Sequence, residues 1–133
     1  MTSFYTSKTY ESWAPVIARI MFGLFFLFAA AAKIPGTSMY SGSVEMTASA
    51  GIPFAAFAVI VAFIVEVVTG LALVFGWYAR MAATFLIFYV AILTIIFHLH
   101  FSSQIEIGFF VDHLLLIAGL FYVSVFGPEQ MME

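Results

Sequence analysis

The chain has 133 residues, of which 65% are hydrophobic and 8% charged, a formal net charge of -3 and no cysteine; its mean hydropathy is +1.15. A water-soluble domain carries about a quarter of its residues charged, so most of this chain faces something other than water. The balance excludes a basic nucleic-acid surface, and the lack of cysteine excludes disulfides, thiolate metal sites and thiol redox chemistry by the chain itself.

Four apolar runs, at 13–32, 54–75, 81–101 and 107–126, are long enough to span a membrane, since about 20 helical residues cover the roughly 30 Å hydrocarbon core. Backbone in lipid satisfies its own hydrogen bonds, so each run is expected to be a helix. The runs do not alternate in polarity, as barrel strands would. The predicted fold is an all-α, integral membrane, antiparallel four-helix bundle forming a single domain.

In the first run, Ser12 and Pro15 suit an opening helical turn. The small residues at 29–32 would also suit signal cleavage. That reading is set aside because the run is too long, contains Arg19 and follows a segment (Lys8, Glu11) of no net charge. Segment 34–52, rich in Gly, Ser and Thr, reads either as an external loop or as an interfacial cap over one end of the bundle. Pro53 suits the start of the second helix and Gly76 its end; Gly127-Pro128 closes the fourth. Trp13, Trp77 and Tyr78 stand where interfacial aromatics belong. Short turns make the second and third helices neighbours, and likewise the third and fourth. Lys8, Arg19 and Arg80 lie on the side of the N-terminus and Lys33 on the other, which places both termini in the cytoplasm.

Ionisable groups inside the spans are costly and therefore informative. At 100° per residue, Arg19, Gly23, Phe26, Ala30 and Lys33 form one stripe on the first helix, and Ala58, Ala62, Glu66 and Gly70 one on the second. Arg80, Thr84, Ala91, Thr94 and His98 share a face of the third; Gly108, Asp112, Leu115 and Gly119 align on the fourth, with His113 one step round. Small residues at such spacing admit a neighbouring helix, so the stripes are expected to turn inward. Arg19 and Arg80 then lie toward the cytoplasmic side, Glu66 near the middle, and Lys33, His98, Asp112 and His113 toward the other side.

Two arrangements follow as expectations: an Arg19–Glu66 pair, and a Lys33–His98–Asp112 cluster. Glu66 reads as a proton or ligand group, against a purely structural ion pair. Lys33 and Arg80 read as snorkelling anchors; Arg80, Thr84 and Thr94 as structural polar residues. His98 and Asp112 form either a proton relay or polar residues of the headgroup zone, and His100 is interfacial. A haem between His98 and His113, or a metal on His98, Asp112 and His113, has no supporting spacing, and no metal is expected. No hydrolase, kinase or nucleotide-binding motif is present.

These stripes carry a resemblance. Arg19-x3-Gly23-x2-Phe26 ending at Lys33, Gly51-Ile52-Pro53, Glu66-x3-Gly70 followed by Gly76 and Arg80-x-Ala82, and Phe97-His98 with Gln104 downstream resemble the DoxX family of small bacterial membrane proteins, from about Arg19 to Phe126. Where many relatives have a Lys-Asn pair early in the fourth helix, this chain has Asp112-His113, which reverses a charge. Where Gly-Gly often follows the glutamate, Thr69-Gly70 stands here. The resemblance implies a four-helix bundle of the bacterial inner (plasma) membrane. It also implies, by analogy with members that serve thiosulfate:quinone oxidoreductase or thiol-stress complexes, a membrane subunit of a quinone-linked redox system. Glu66, Arg19, Lys33, His98, Asp112 and His113 would supply its ligand contacts or proton pathway. No catalytic residue can be named, no self-sufficient catalytic motif is present and no cofactor within the chain itself is expected, so electrons would come from a bound quinone or a redox partner protein. Fold alone does not transfer chemistry. The alternatives are a small-molecule transporter working as a homo-oligomer, and a non-catalytic membrane scaffold.

Overall fold

The structure, a computed structural model, describes the backbone of residues 8–128 and the side chains of 12–128. The side chain of Lys8, one of the orientation markers, lies outside the described residues. Five helices run in order: α1 (Lys8–Ala31), α2 (Ser38–Ser49), α3 (Ala55–Phe75), α4 (Ala79–Phe97) and α5 (Gln104–Phe126), with no strand among the described residues. Four of them hold spans long and apolar enough to cross a membrane: Ser12–Ala31, Ala55–Phe75, Ala79–Phe97 and Gln104–Phe126. The fold is the expected all-α membrane bundle.

The helix ends follow local chemistry. α1 begins before Pro15, not at it, so Pro15 sits inside the helix; a proline there withholds one hydrogen bond from the carbonyl a turn earlier. Segment 34–52 contains a helix: Thr37 Oγ1 accepts from the Tyr40 N–H at 3.1 Å and starts α2. Gly36 and Gly51, at φ 89° and 86°, turn the chain into and out of this helix. α3 ends at Gly76, φ 78°. α5 starts three residues earlier than its apolar run because Ser103 Oγ accepts from the Glu106 N–H at 3.2 Å, while Glu106 Oε2 accepts from the Ser102 N–H at 3.1 Å and from the Ser102 hydroxyl. That reciprocal arrangement is close to a capping box.

α1 packs most extensively on α3, and α4 on α5; smaller contacts between α3 and α4 and between α1 and α5 complete the bundle, with α2 lying on α3. The α1–α3 seam is the tightest. A Cβ at Gly23 would stand 2.7 Å from the Gly70 carbonyl oxygen and 2.6 Å from Val74 Cγ2, and one at Gly70 would stand 3.0 Å from the Gly23 carbonyl oxygen. Backbone meets backbone there, as small residues allow. Phe26, Leu73, Leu86, Val90 and Leu120 fill the centre.

Two faces differ from their expected orientation. On α4 the buried face is Ala79, Ala83, Leu86, Val90 and Thr94, and Thr84, one step round, is exposed. Its hydroxyl donates to the Arg80 carbonyl at 2.8 Å, which lets a threonine face lipid at little cost. On α5 the inward face is Leu116, Leu120 and Val123, while Asp112 and Leu115 are exposed.

Candidate functional site

Glu66 lies halfway along α3, 3% exposed, at the centre of the bundle. Its Oε1 accepts from Lys33 Nζ at 3.2 Å and from the Tyr89 hydroxyl at 3.1 Å. Lys33 Nζ also stands 3.0 Å from Oε2. That approach is an ion pair without a directed hydrogen bond, and Oε2 accepts none among the described residues. Lys33 Nζ donates further to the Ala29 carbonyl at 3.1 Å, so its stem folds back along α1.

The expected Arg19–Glu66 pair is therefore corrected: the partner is Lys33. The Gly23–Gly70 contact fixes the register of the antiparallel helices. Counted from it, Lys33 lies six residues from the level of Glu66 and Arg19 eight, about 9 and 12 Å along the axis. Direction decides the rest. Side chains tilt toward their helix N-terminus, so Glu66 leans toward the Lys33 end and Arg19 leans away from it. Arg19 instead donates through Nη1 to the carbonyls of Leu73 at 2.9 Å and Val74 at 3.3 Å, a cation on the last turn of α3. Gly76 is required by its positive φ of 78°, and a Cβ there would also displace the Arg19 guanidinium, 2.5 Å away at Nη1. Arg80 Nε donates to the Gly127 carbonyl at 2.7 Å, tying α4 to the end of α5.

The expected Lys33–His98–Asp112 cluster is corrected too. Lys33 is drawn inward to Glu66 and is no snorkelling anchor. His98 caps α4, its N–H donating to the Thr94 carbonyl at 2.9 Å, and its ring centroid lies 4.4 Å from that of His113 and 5.5 Å from that of Phe109. His113 Nδ1 is 2.7 Å from the Phe109 carbonyl, which places its proton on Nδ1 and leaves Nε2 open. The His98–His113 contact sets Asp112 level with the end of α4, where an exposed carboxylate reaches the headgroup zone. Among the described residues no three His, Asp or Glu side chains gather as a metal site. His98, just outside the span, has its pKa lowered, first by burial and then by His113. His100 is exposed.

Glu66, Lys33, Tyr89, His98 and His113 all line one cavity of about 310 Å³ between the helices. Phe25, Phe26, Val90 and Phe97 give it apolar walls, and Ser43, Met46 and Thr47 of α2 cover it. The arrangement offers a carboxylate, an ammonium and a phenol at the inner end of an apolar chamber, and two imidazoles at its outer end. Tyr89 was absent from the sequence reading; a phenol placed mid-span, where a polar tip needs a partner, was the available signal. Thr69 and Thr94 spend their hydroxyls on the Val65 and Val90 carbonyls, at 2.6 and 2.7 Å, and add no free donor.

A sequence model of the DoxX family matches residues 14–99, well over half of the chain. The inner membrane protein YqjF of Escherichia coli (strain K12) is 26% identical over 121 residues, covering 91% of this chain and 89% of that protein. No solved structure matches.

Proposed function

The chain belongs to the DoxX family, and on that premise we propose that it is the ligand-binding membrane subunit of a quinone-linked redox system of the bacterial inner membrane. The single observation that carries this reading is the Glu66–Lys33–Tyr89 triad at the inner end of an apolar cavity. A carboxylate buried this deeply is expensive, and a structural pair with Lys33 would not need a chamber beside it. Lys33 and Tyr89 are donors held in place by one oxygen of Glu66. A carbonyl oxygen entering the cavity would find the remaining Lys33 ammonium hydrogen within reach, while Glu66 Oε2 and the Tyr89 oxygen, whose own hydrogen goes to Glu66, keep acceptor capacity for a hydroxyl. The volume lies at the small end of ligand-sized clefts, about 300–1,000 Å³, and suits a ring-sized head group rather than a long tail.

A bound quinone would supply two-electron chemistry. The chain's own part is to orient the ring, to exclude water and to hold a proton at Glu66. His98 and His113 stand between the triad and the outer face, where protons exchange with water. Electrons come from a partner protein, since the chain has no thiol to carry them.

The test is direct. Purified protein, titrated with a short-chain quinone and followed by aromatic fluorescence, is expected to bind saturably. Glu66→Gln, which removes the charge that holds Lys33 and Tyr89 in place, and Tyr89→Phe, which removes one hydrogen bond to that charge, are each expected to weaken binding about tenfold or more. No saturable binding by the folded wild type would end the quinone reading.

A further inference from the structure

A second cleft, of about 700 Å³, lies at the opposite end of the bundle from the Glu66 cavity, along the seam of α1 and α5. Helices α1 and α5 touch little, and the inner end of the seam is closed by Phe22 against Gly119. The walls are Ala14, Ala18, Phe75, Tyr122 and Phe126. Tyr122, Phe126 and Phe75 are 71%, 65% and 63% exposed, so the cleft opens sideways onto the surface that faces lipid.

One cation stands in this apolar wall, Arg19, and no carboxylate lines the cleft among the described residues. Among the described residues, both hydrogen bonds of Arg19 leave from Nη1 and end on the neutral carbonyls of Leu73 and Val74. The Nε and Nη2 hydrogens remain for a ligand. Depth matters as much as charge. Arg19 is level with Gly76 and Gly127, where α3 and α5 end. It therefore sits where headgroups begin, with apolar wall beside it. A basic pocket between spans at that level matches an anionic headgroup, and the wall matches an acyl chain.

We infer that the α1–α5 cleft is a phospholipid site selective for anionic headgroups, with Arg19 as the headgroup contact and the apolar seam as the chain groove. The inference is independent of the quinone reading, because none of its residues lines the Glu66 cavity.

The experiment is retention of phosphatidylglycerol against phosphatidylethanolamine by the full-length protein in detergent, read by native mass spectrometry. Wild type should prefer phosphatidylglycerol about fivefold, the worth of one arginine near a membrane surface, and the preference should fall as salt rises. Arg19→Gln should bring the ratio near one and Arg19→Lys should keep most of it. Ala18→Trp leaves Arg19 in place and, Ala18 being exposed, leaves the core untouched; it should reduce retention of both lipids. If Arg19→Gln fails to fold, the salt dependence and Ala18→Trp decide. Equal retention by wild type, an unchanged ratio in folded Arg19→Gln, or full retention in Ala18→Trp overturns the inference. Retention that emerges only after residues 129–133 are removed also overturns it, and assigns the cleft to the chain's own tail.

Discussion

The Lys33–Glu66 bond is the most consequential pair contact in the molecule. Removing one partner of a buried ion pair strands the other. Lys33→Met is expected to cost about 3–5 kcal/mol of unfolding free energy in detergent, and the double variant Lys33→Met/Glu66→Gln markedly less than the sum of the single changes. A denaturant titration of all four proteins checks this; strict additivity would show the two residues to be energetically separate. At the outer end, His98 has its pKa held below the usual 6.5 by burial and by His113. A histidine lowered on folding binds its proton more readily in the unfolded chain, so stability is retained above the ordinary value and lost as pH falls from about 6.5 through the lowered one. Wild type should therefore lose more melting temperature between pH 7.5 and pH 5.5 than His98→Gln does. His113→Gln should raise the His98 value, read by NMR. These residues were only partly legible beforehand. Spacing put Glu66, Arg19 and Lys33 on inward stripes; the structure buries Glu66 against Lys33 and lays Arg19 across the end of α3 beside a cleft open to lipid. It did not choose between Arg19 in α1 and Lys33 just beyond its end, because that choice rests on axial register and on the tilt of side chains toward the N-terminus.

At the scale of elements, glycine separates close packing from open surface. Gly23 and Gly70 place backbone against backbone, so Gly23→Ala should destabilise by about 1–3 kcal/mol through overpacking. Gly108, inside α5 with nothing near its absent Cβ, is the control. Gly108→Ala should stabilise by about 0.5–1 kcal/mol, since alanine loses less backbone freedom in a helix. Thermal melts of both variants in one detergent settle the comparison, and similar effects at the two sites would remove the tight α1–α3 seam from the account. The four spans were visible as apolar runs because lipid demands them. Their ends were less so. Ser103 with Glu106 three residues on is a capping signal inside a short polar turn, and it starts α5 ahead of the apolar run. The faces of α4 and α5 were misjudged where Thr84 and Asp112 were weighted for polarity. A hydroxyl satisfied by its own helix, or a carboxylate level with the membrane rim, has no need to turn inward.

For the whole molecule, antiparallel packing of four spans brings the described ends at Lys8 and Pro128 to one side, with α2 closing the other. With Arg19 and Arg80 on that first side, both ends are expected in the cytoplasm. A C-terminal fusion should show fluorescence from a cytoplasm-folding reporter and no activity from a periplasmic phosphatase; the reverse would invert the orientation without altering the fold. The two clefts divide the molecule by chemistry: one holds a buried carboxylate beneath α2, the other an arginine beside an apolar seam at the opposite end. The quinone reading requires that the chamber beneath α2 take a ring-sized ligand against Glu66 and Tyr89. Photolabelling native membranes with an azidoquinone, followed by peptide mapping, reads that contact. Label is expected on the stretches of α3 and α4 that hold Glu66 and Tyr89, suppressed by excess unlabelled quinone and diminished in Glu66→Gln. Label spread over the outward phenylalanines, indifferent to competitor, would contradict the quinone reading.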